Sequence, residues 1–110
     1  MIRRKSAAPS HPFELRAQQP GRYMLEGELC FASAEQVLRR VSAVIGGAAE
    51  TTLDLGGVVR ADSAGLALLL EWQRLADRSG TVLHYVNLPQ QLLAIAHVAG
   101  VEDILGVAGT

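Results

Sequence analysis

One serine in this chain stands where a hydroxyl could be put to use. It is Ser63, within Asp62-Ser63-Ala64-Gly65-Leu66. An apolar, strand-like run at 51–55, continued by Val58 and Val59, leads into it, and helical spacing follows to about residue 78. This order predicts Ser63 in the first turn of a helix, where unpaired backbone N–H groups and the positive end of the dipole meet. Such a position accepts an anion or a phosphoryl group. Asp62, immediately before it, reads as the helix cap. No base, nucleophile partner or metal ligand adjoins Ser63 in sequence. The expected chemistry is recognition and switching: no enzyme, no catalytic residue, no cofactor and no metal.

Other groups offer less. Asp54 and Asp62 could be imagined as paired carboxylates, but their spacing suggests no ordered acid/base partner. His11, His84 and His97 lack metal-ligand spacing, and His97 falls off the apolar face of its helix. Cys30 is the only cysteine, so it has no internal disulfide partner and reads as a small buried residue in a reducing compartment. Gly46-Gly47 and Gly56-Gly57 punctuate loops without making a dinucleotide fingerprint. Trp72 reads as a core anchor.

The elements that must position Ser63 follow from composition and periodicity. The chain has 110 residues, 49% hydrophobic and 19% charged, which suits one domain with a real core. Its net charge of −1 gives no reason to expect nucleic-acid binding. Lys5 is the only lysine, which excludes a P-loop lysine from the body of the domain. Residues 1–12 read as a flexible tail: Arg3-Arg4-Lys5 is not followed by the apolar segment an export signal needs. No run approaches the ~18 apolar residues of a membrane span, so no direct membrane insertion is expected.

The domain is expected over 13–110. A strand at 13–18, a turn at Pro20-Gly21 and a strand at 22–28 read as a hairpin. Ser33 or a neighbour caps a helix whose inner face is Ala34, Val37, Leu38, Val41, Val44 and Ile45, stopped by Gly46-Gly47. A strand at 51–55 ends at Gly56-Gly57, and the central helix follows to Ser79-Gly80. A strand at 81–86, a helix at 90–99 with Pro89 at its first position, and a short strand or turn at 101–107 complete the chain. The fold class is therefore α/β: an initial hairpin, then alternating strands and helices, giving a mixed sheet with helices packed on it.

The central helix carries more than core. At 100° per residue Leu68, Leu69, Trp72, Leu75 and Ala76 form an apolar arc toward the sheet. Leu66 and Leu70 fall with Gln73, Arg74 and Asp77 on the side of Ser63, and read as a partly exposed stripe suited to docking. The alternative is that a neighbouring loop or the next helix covers Leu66.

The element order, with Leu53-Asp54-Leu55-Gly56-Gly57-Val58 leading into Ala61-Asp62-Ser63-Ala64-Gly65-Leu66, resembles a STAS domain over about 13–107. STAS domains include anti-sigma-factor antagonists and transporter-attached modules. Gly65-Leu66-Ala67-Leu68-Leu69-Leu70, Arg74-Leu75-Ala76 and Ser79-Gly80 are most similar to MlaB-like proteins, the cytoplasmic STAS subunits of the phospholipid ABC transporter that maintains lipid asymmetry. In that group the hydroxyl position is often Thr; here it is Ser63. The resemblance implies a partner, the transporter's ATPase subunit in complex with a membrane permease, and a location peripheral to the inner membrane through it. The partner-binding residues so implied are Ser63, Ala64, Leu66, Ala67, Leu70 and Arg74. The antagonist branch implies instead an anti-sigma-factor kinase that phosphorylates Ser63.

Overall fold

The computed structural model describes residues 12–105. Two antiparallel strands, β1 (Glu14–Gln19) and β2 (Arg22–Leu29), open the chain. Gly21, with φ +78°, turns between them. A Cβ there would stand 2.9 Å from the Glu50 carbonyl oxygen, so glycine serves both the turn and the close approach. A 3-10 turn (Phe31–Ser33) precedes α1 (Ala34–Ser42). Then come β3 (Glu50–Ala61), α2 (Ser63–Ser79), β4 (Val82–Val86) and α3 (Gln90–Ala99). The strand order is β1-β2-β3-β4, with β2, β3 and β4 mutually parallel, so the expected mixed sheet is present. The final segment is a turn at 102–105; residues 106 and 107 of the expected strand or turn, and the N-terminal tail as far as 11, lie outside the described residues.

Cross-strand register sorts the side chains. Leu15 and Leu25 share one row, Ala17, Tyr23, Leu53 and Tyr85 a second, Thr51 and Leu83 a third. With Leu55, these rows hold the core residues Leu25, Leu53, Leu55 and Leu83, which pack with Val37, Val41, Leu68, Leu69, Trp72, Ala76, Leu92 and Ala96 of the helices. The alternate rows, Arg16–Met24–Asp54–Val86 and Arg22–Thr52–His84, form the opposite face. Helix α2 contacts both α1 and α3 and lies between them. Tyr85 donates its hydroxyl to the Leu69 carbonyl at 2.6 Å, tying β4 to the middle of α2.

Two boundaries differ from expectation, and Pro89, expected at the first position of its helix, stands just outside it. Strand β3 does not stop at Gly56-Gly57 but runs on to Ala61, because the register shifts twice against β2 and the extra residues are absorbed as bulges. Gly57 makes the first shift feasible: a Cβ there would come 2.5 Å from Glu26 Cγ and 2.9 Å from the Leu25 carbonyl. Helix α1 ends at Ser42, before Gly46-Gly47, and a turn carries Ile45 back into the core. Pro89 is the residue flanking α3, with ψ 151°, and its carbonyl accepts from Leu92 and Leu93.

Candidate functional site

The start of α2 is built by Asp62. Its backbone is extended (φ −135°, ψ −164°), and its Oδ1 accepts the Ala64 N–H at 2.9 Å, which is the cap the sequence predicts. Oδ2 lies 3.4 Å from the N–H of Phe31, and Asp62 N–H donates to the Leu29 carbonyl at 3.3 Å. One residue therefore joins the end of β2, the 3-10 turn and the first turn of α2. Gly65 permits the closeness. A Cβ at that position would meet the Leu29 carbonyl at 2.7 Å and Leu29 Cβ at 3.2 Å. The small residue two places after the hydroxyl is thus a steric requirement of the helix start.

From this start a stripe runs along α2 at helical spacing: Ser63, Ala67, Leu70, Arg74. Ser63, Ala67 and Arg74 are exposed and Leu70 is half-buried; Ala64, also half-buried, sits at the edge. Ser63 makes no side-chain hydrogen bond with the described residues. Arg74 reaches Glu71 at 3.5 Å, but its side chain is 70% exposed, so the pair leaves the guanidinium accessible.

The expected pairing of Leu66 with Leu70 on the surface is corrected. Leu66 is 7% exposed and belongs to the core. The reason is the flanking of α2 by α1 and α3. A helix covered on its sides as well as underneath buries a wider arc than one laid on a sheet alone, so Gly65, Leu66, Leu68, Leu69, Trp72 and Ala76 are all inside. Of the two leucines, Leu70 alone remains available to a partner.

Sequence reasoning also missed a neighbour of the site. Phe31, in the turn joined to Asp62, is 85% exposed. Phe31-Ala32-Ser33 leads into a helix, and nothing in that local sequence signals that the ring faces out. Ser33 does not cap α1 with its side chain. Its hydroxyl donates to the Glu28 carbonyl at 2.7 Å and accepts the Cys30 N–H at 3.1 Å, so it braces the turn that carries Phe31.

The remaining candidates have structural roles. Cys30 is buried, and burial raises its thiol pKa, with the Asp62 charge adding to the shift and Arg60 opposing it. Asp54 is 5% exposed and accepts from Arg22 Nη2 at 3.1 Å, the Gly56 N–H at 2.8 Å and Asn87 Nδ2 at 3.0 Å. Burial alone would raise its pKa, but these hydrogen bonds and the Arg22 charge hold it below the ordinary 3.8. Asp54 anchors the β4–α3 connection, in which Asn87 adopts φ +57°. His84 and His97 lie near Glu50 (3.9 Å) and Glu102 (3.0 Å). Among the described residues no group of His, Cys, Asp or Glu could hold a metal ion, and no helix is long and apolar enough to cross a membrane.

Comparison with known proteins agrees with this fold. The solved anti-sigma factor antagonist SpoIIAA in its unphosphorylated form is similar, with TM-score 0.66 and 18% identity over 84% of each chain. The phosphorylated form of SpoIIAA, described as a Bacillus cell fate determinant, superposes with TM-score 0.63 and 19% identity, covering 84% of this chain and 86% of that one. A sulfate transporter family protein from Wolinella succinogenes gives TM-score 0.61 and 26% identity over 77% of this chain and 70% of its own. A search of curated proteins gives no match. The family model described as "Mlab, STAS domain" matches residues 15–106, and the chain belongs to that STAS family.

Proposed function

We propose that this chain is a non-enzymatic adaptor that binds the ATPase subunit of a phospholipid ABC transporter of the Mla type and supports its assembly and activity in lipid transport. It would sit on the cytoplasmic side, peripheral to the inner membrane through that partner and its permease. The reading rests on one observation: in a chain of the MlaB-described STAS family, the helix start presents an unengaged hydroxyl, small residues and one half-buried leucine outward. Ala64 and Ala67 let a partner backbone come close. Complete desolvation of Leu70 would contribute up to about 1.5–3 kcal/mol, less what its present burial already supplies. Docking would stabilise the ATPase state that it prefers, since a ligand shifts an equilibrium only by its differential affinity. Leu66, being internal, takes no direct part.

Leu70→Asp and Ser63→Glu each test the reading. Ser63 is exposed and Leu70 is half-buried against the edge of the core, so circular dichroism and thermal melts first establish that each variant is folded; the folded variants are expected to fail to co-purify with the ATPase subunit. Normal co-purification of both refutes the face.

A second reading is an anti-sigma-factor antagonist controlled by phosphorylation of Ser63. It is favoured by the exposure of this hydroxyl and by the likeness to a protein solved in phosphorylated and unphosphorylated forms. A phosphoryl group would add about −1.5 to −2 charges at the helix start. A mass increase after incubation with an anti-sigma-factor kinase, absent in Ser63→Ala, supports it; binding of such a kinase without transfer counts against it.

A further inference from the structure

We propose that β4 pairs with β4 of a second copy of this chain, antiparallel about a two-fold axis at His84, and that the protein self-associates through this seam. The proposal goes beyond the adaptor reading and uses a different part of the molecule. The sheet ends in β1 on one side and β4 on the other, with no further strand among the described residues. An open edge is a template for another strand unless charge, proline or a bulge blunts it. The β1 edge is guarded in all three ways: Glu14 and Arg16 lie along it, its register shifts between Ala17 and Gln19, and Pro20 follows it. The β4 edge has none of these. Val82-Leu83-His84-Tyr85-Val86 contains no Lys, Arg, Asp, Glu or Pro, and it pairs with β3 without a register shift.

The hydrogen-bond directions identify the groups left over and fix the register. The Val82 N–H donates to the Ala49 carbonyl at 2.9 Å, so Val82, His84 and Val86 turn their backbone polar groups toward β3. The N–H and C=O of Leu83 and Tyr85 then point outward, and nothing among the described residues bonds them. With His84 opposite His84 of the second copy, Leu83 exchanges two hydrogen bonds with Tyr85 of that copy, and Tyr85 does the same with its Leu83. All the outward groups are used. Centring the axis on Leu83 would oppose Tyr85 to Thr81, whose N–H is already given to the Ala76 carbonyl. Centring it on Tyr85 would oppose Leu83 to Asn87, whose φ of +57° is not extended.

The side chains select a copy of this chain over an unrelated strand. Reversed about His84, the sequence keeps its character: Val82 meets Val86 on the open sheet face, and Leu83 meets Tyr85 on the helix face. Pairs of β-branched and aromatic side chains are the favourable ones across strands. No Lys, Arg, Asp or Glu of β4 is set against its like. The Tyr85 hydroxyl, held at 2.6 Å by the Leu69 carbonyl, fixes the strand in advance, so pairing orders little. A seam of five residues is short for an interface, so the dimer forms as concentration rises. It leaves the outer stripe of α2 uncovered.

The test is sedimentation velocity of the full chain over a concentration series, with wild type and His84→Lys, each shown folded by thermal melts. His84 is exposed, so its replacement leaves the core intact. The expected result is a dimer that grows with concentration in wild type and association weakened about tenfold or more in His84→Lys, which sets two ammonium groups across the axis. A disulfide reads the register. Facing residues of a non-hydrogen-bonded pair have Cα atoms about 4.5 Å apart, within disulfide reach. In a Cys30→Ala background and a glutathione redox buffer, His84→Cys is expected to yield a covalent dimer and Val82→Cys, which faces Val86 of the second copy, to yield none. Wild type that stays monomeric at millimolar concentration, or His84→Lys that associates as wild type does, overturns the proposal. So does a covalent dimer from Val98→Cys with none from His84→Cys, which would move the contact to α3, where Val98 is 87% exposed.

Discussion

A methyl group at position 65 has nowhere to go, because the neighbours at 2.7 and 3.2 Å belong to Leu29, backbone and Cβ. Gly65→Ala must therefore push α2 away from β2, and we expect a loss of about 1–3 kcal/mol in denaturant unfolding. Any binding defect in this variant comes from displacement of Ser63. Asp62→Ala removes the cap and the contact to Phe31, and should cost about 1 kcal/mol. Cys30, buried with a raised pKa, should react with a thiol reagent far more slowly in the native protein than after unfolding. At this scale the sequence was informative where one residue type has one dominant reason to be present. Asp62 before a helical run is a cap by local chemistry alone. The orientation of Phe31 depends on a turn held by Ser33 and Asp62 from two different segments, which no local pattern records.

The elements divide in the same way. Helix α3 was legible from end to end, since Pro89 and Gly100 bracket it, and the hairpin from Pro20-Gly21. Strand β3 was legible only for its first half. Gly56-Gly57 reads as a stop in isolation, but against β2 it is where the chain absorbs extra residues, and pairing partners are invisible from one strand. Leu66 was misread for a related reason: its angular position on α2 is right, but the width of the buried arc is set by two flanking helices. Trp72 is the central prop of this layer, fully buried, with an indole N–H that has no hydrogen-bond partner among the described residues. Trp72→Ala should cost about 3–5 kcal/mol. Trp72→Phe should cost distinctly less, since it keeps an aromatic ring and gives up no hydrogen bond. Chemical denaturation of the two variants side by side measures the difference.

At the scale of the whole molecule, the two sheet faces do different work. One carries the helices; the other carries the Arg22–Asp54–Asn87 network and the exposed Arg16–Glu26 pair at 2.8 Å. Asp54 makes folding pH-dependent. Its folded pKa lies below the ordinary 3.8, so its stabilisation is complete above that value and is lost as the pH falls through the folded value. Asp54→Asn should therefore lower stability at neutral pH and close the gap to wild type from about pH 4 downward, as read from melting curves across pH. The fold could be read from the order of elements and the family resemblance. The site could be read in part, because a docking face is defined by what the rest of the molecule leaves uncovered.

The central claim is that a protein partner covers the outer stripe at the start of α2. A photo-crosslinking residue placed at Ala67, compared with one placed at His84 on the opposite sheet face, measures this directly in the complex with the transporter ATPase subunit. The account predicts a covalent adduct with the ATPase from position 67 and none from position 84. An adduct from position 84 with none from position 67 would contradict it.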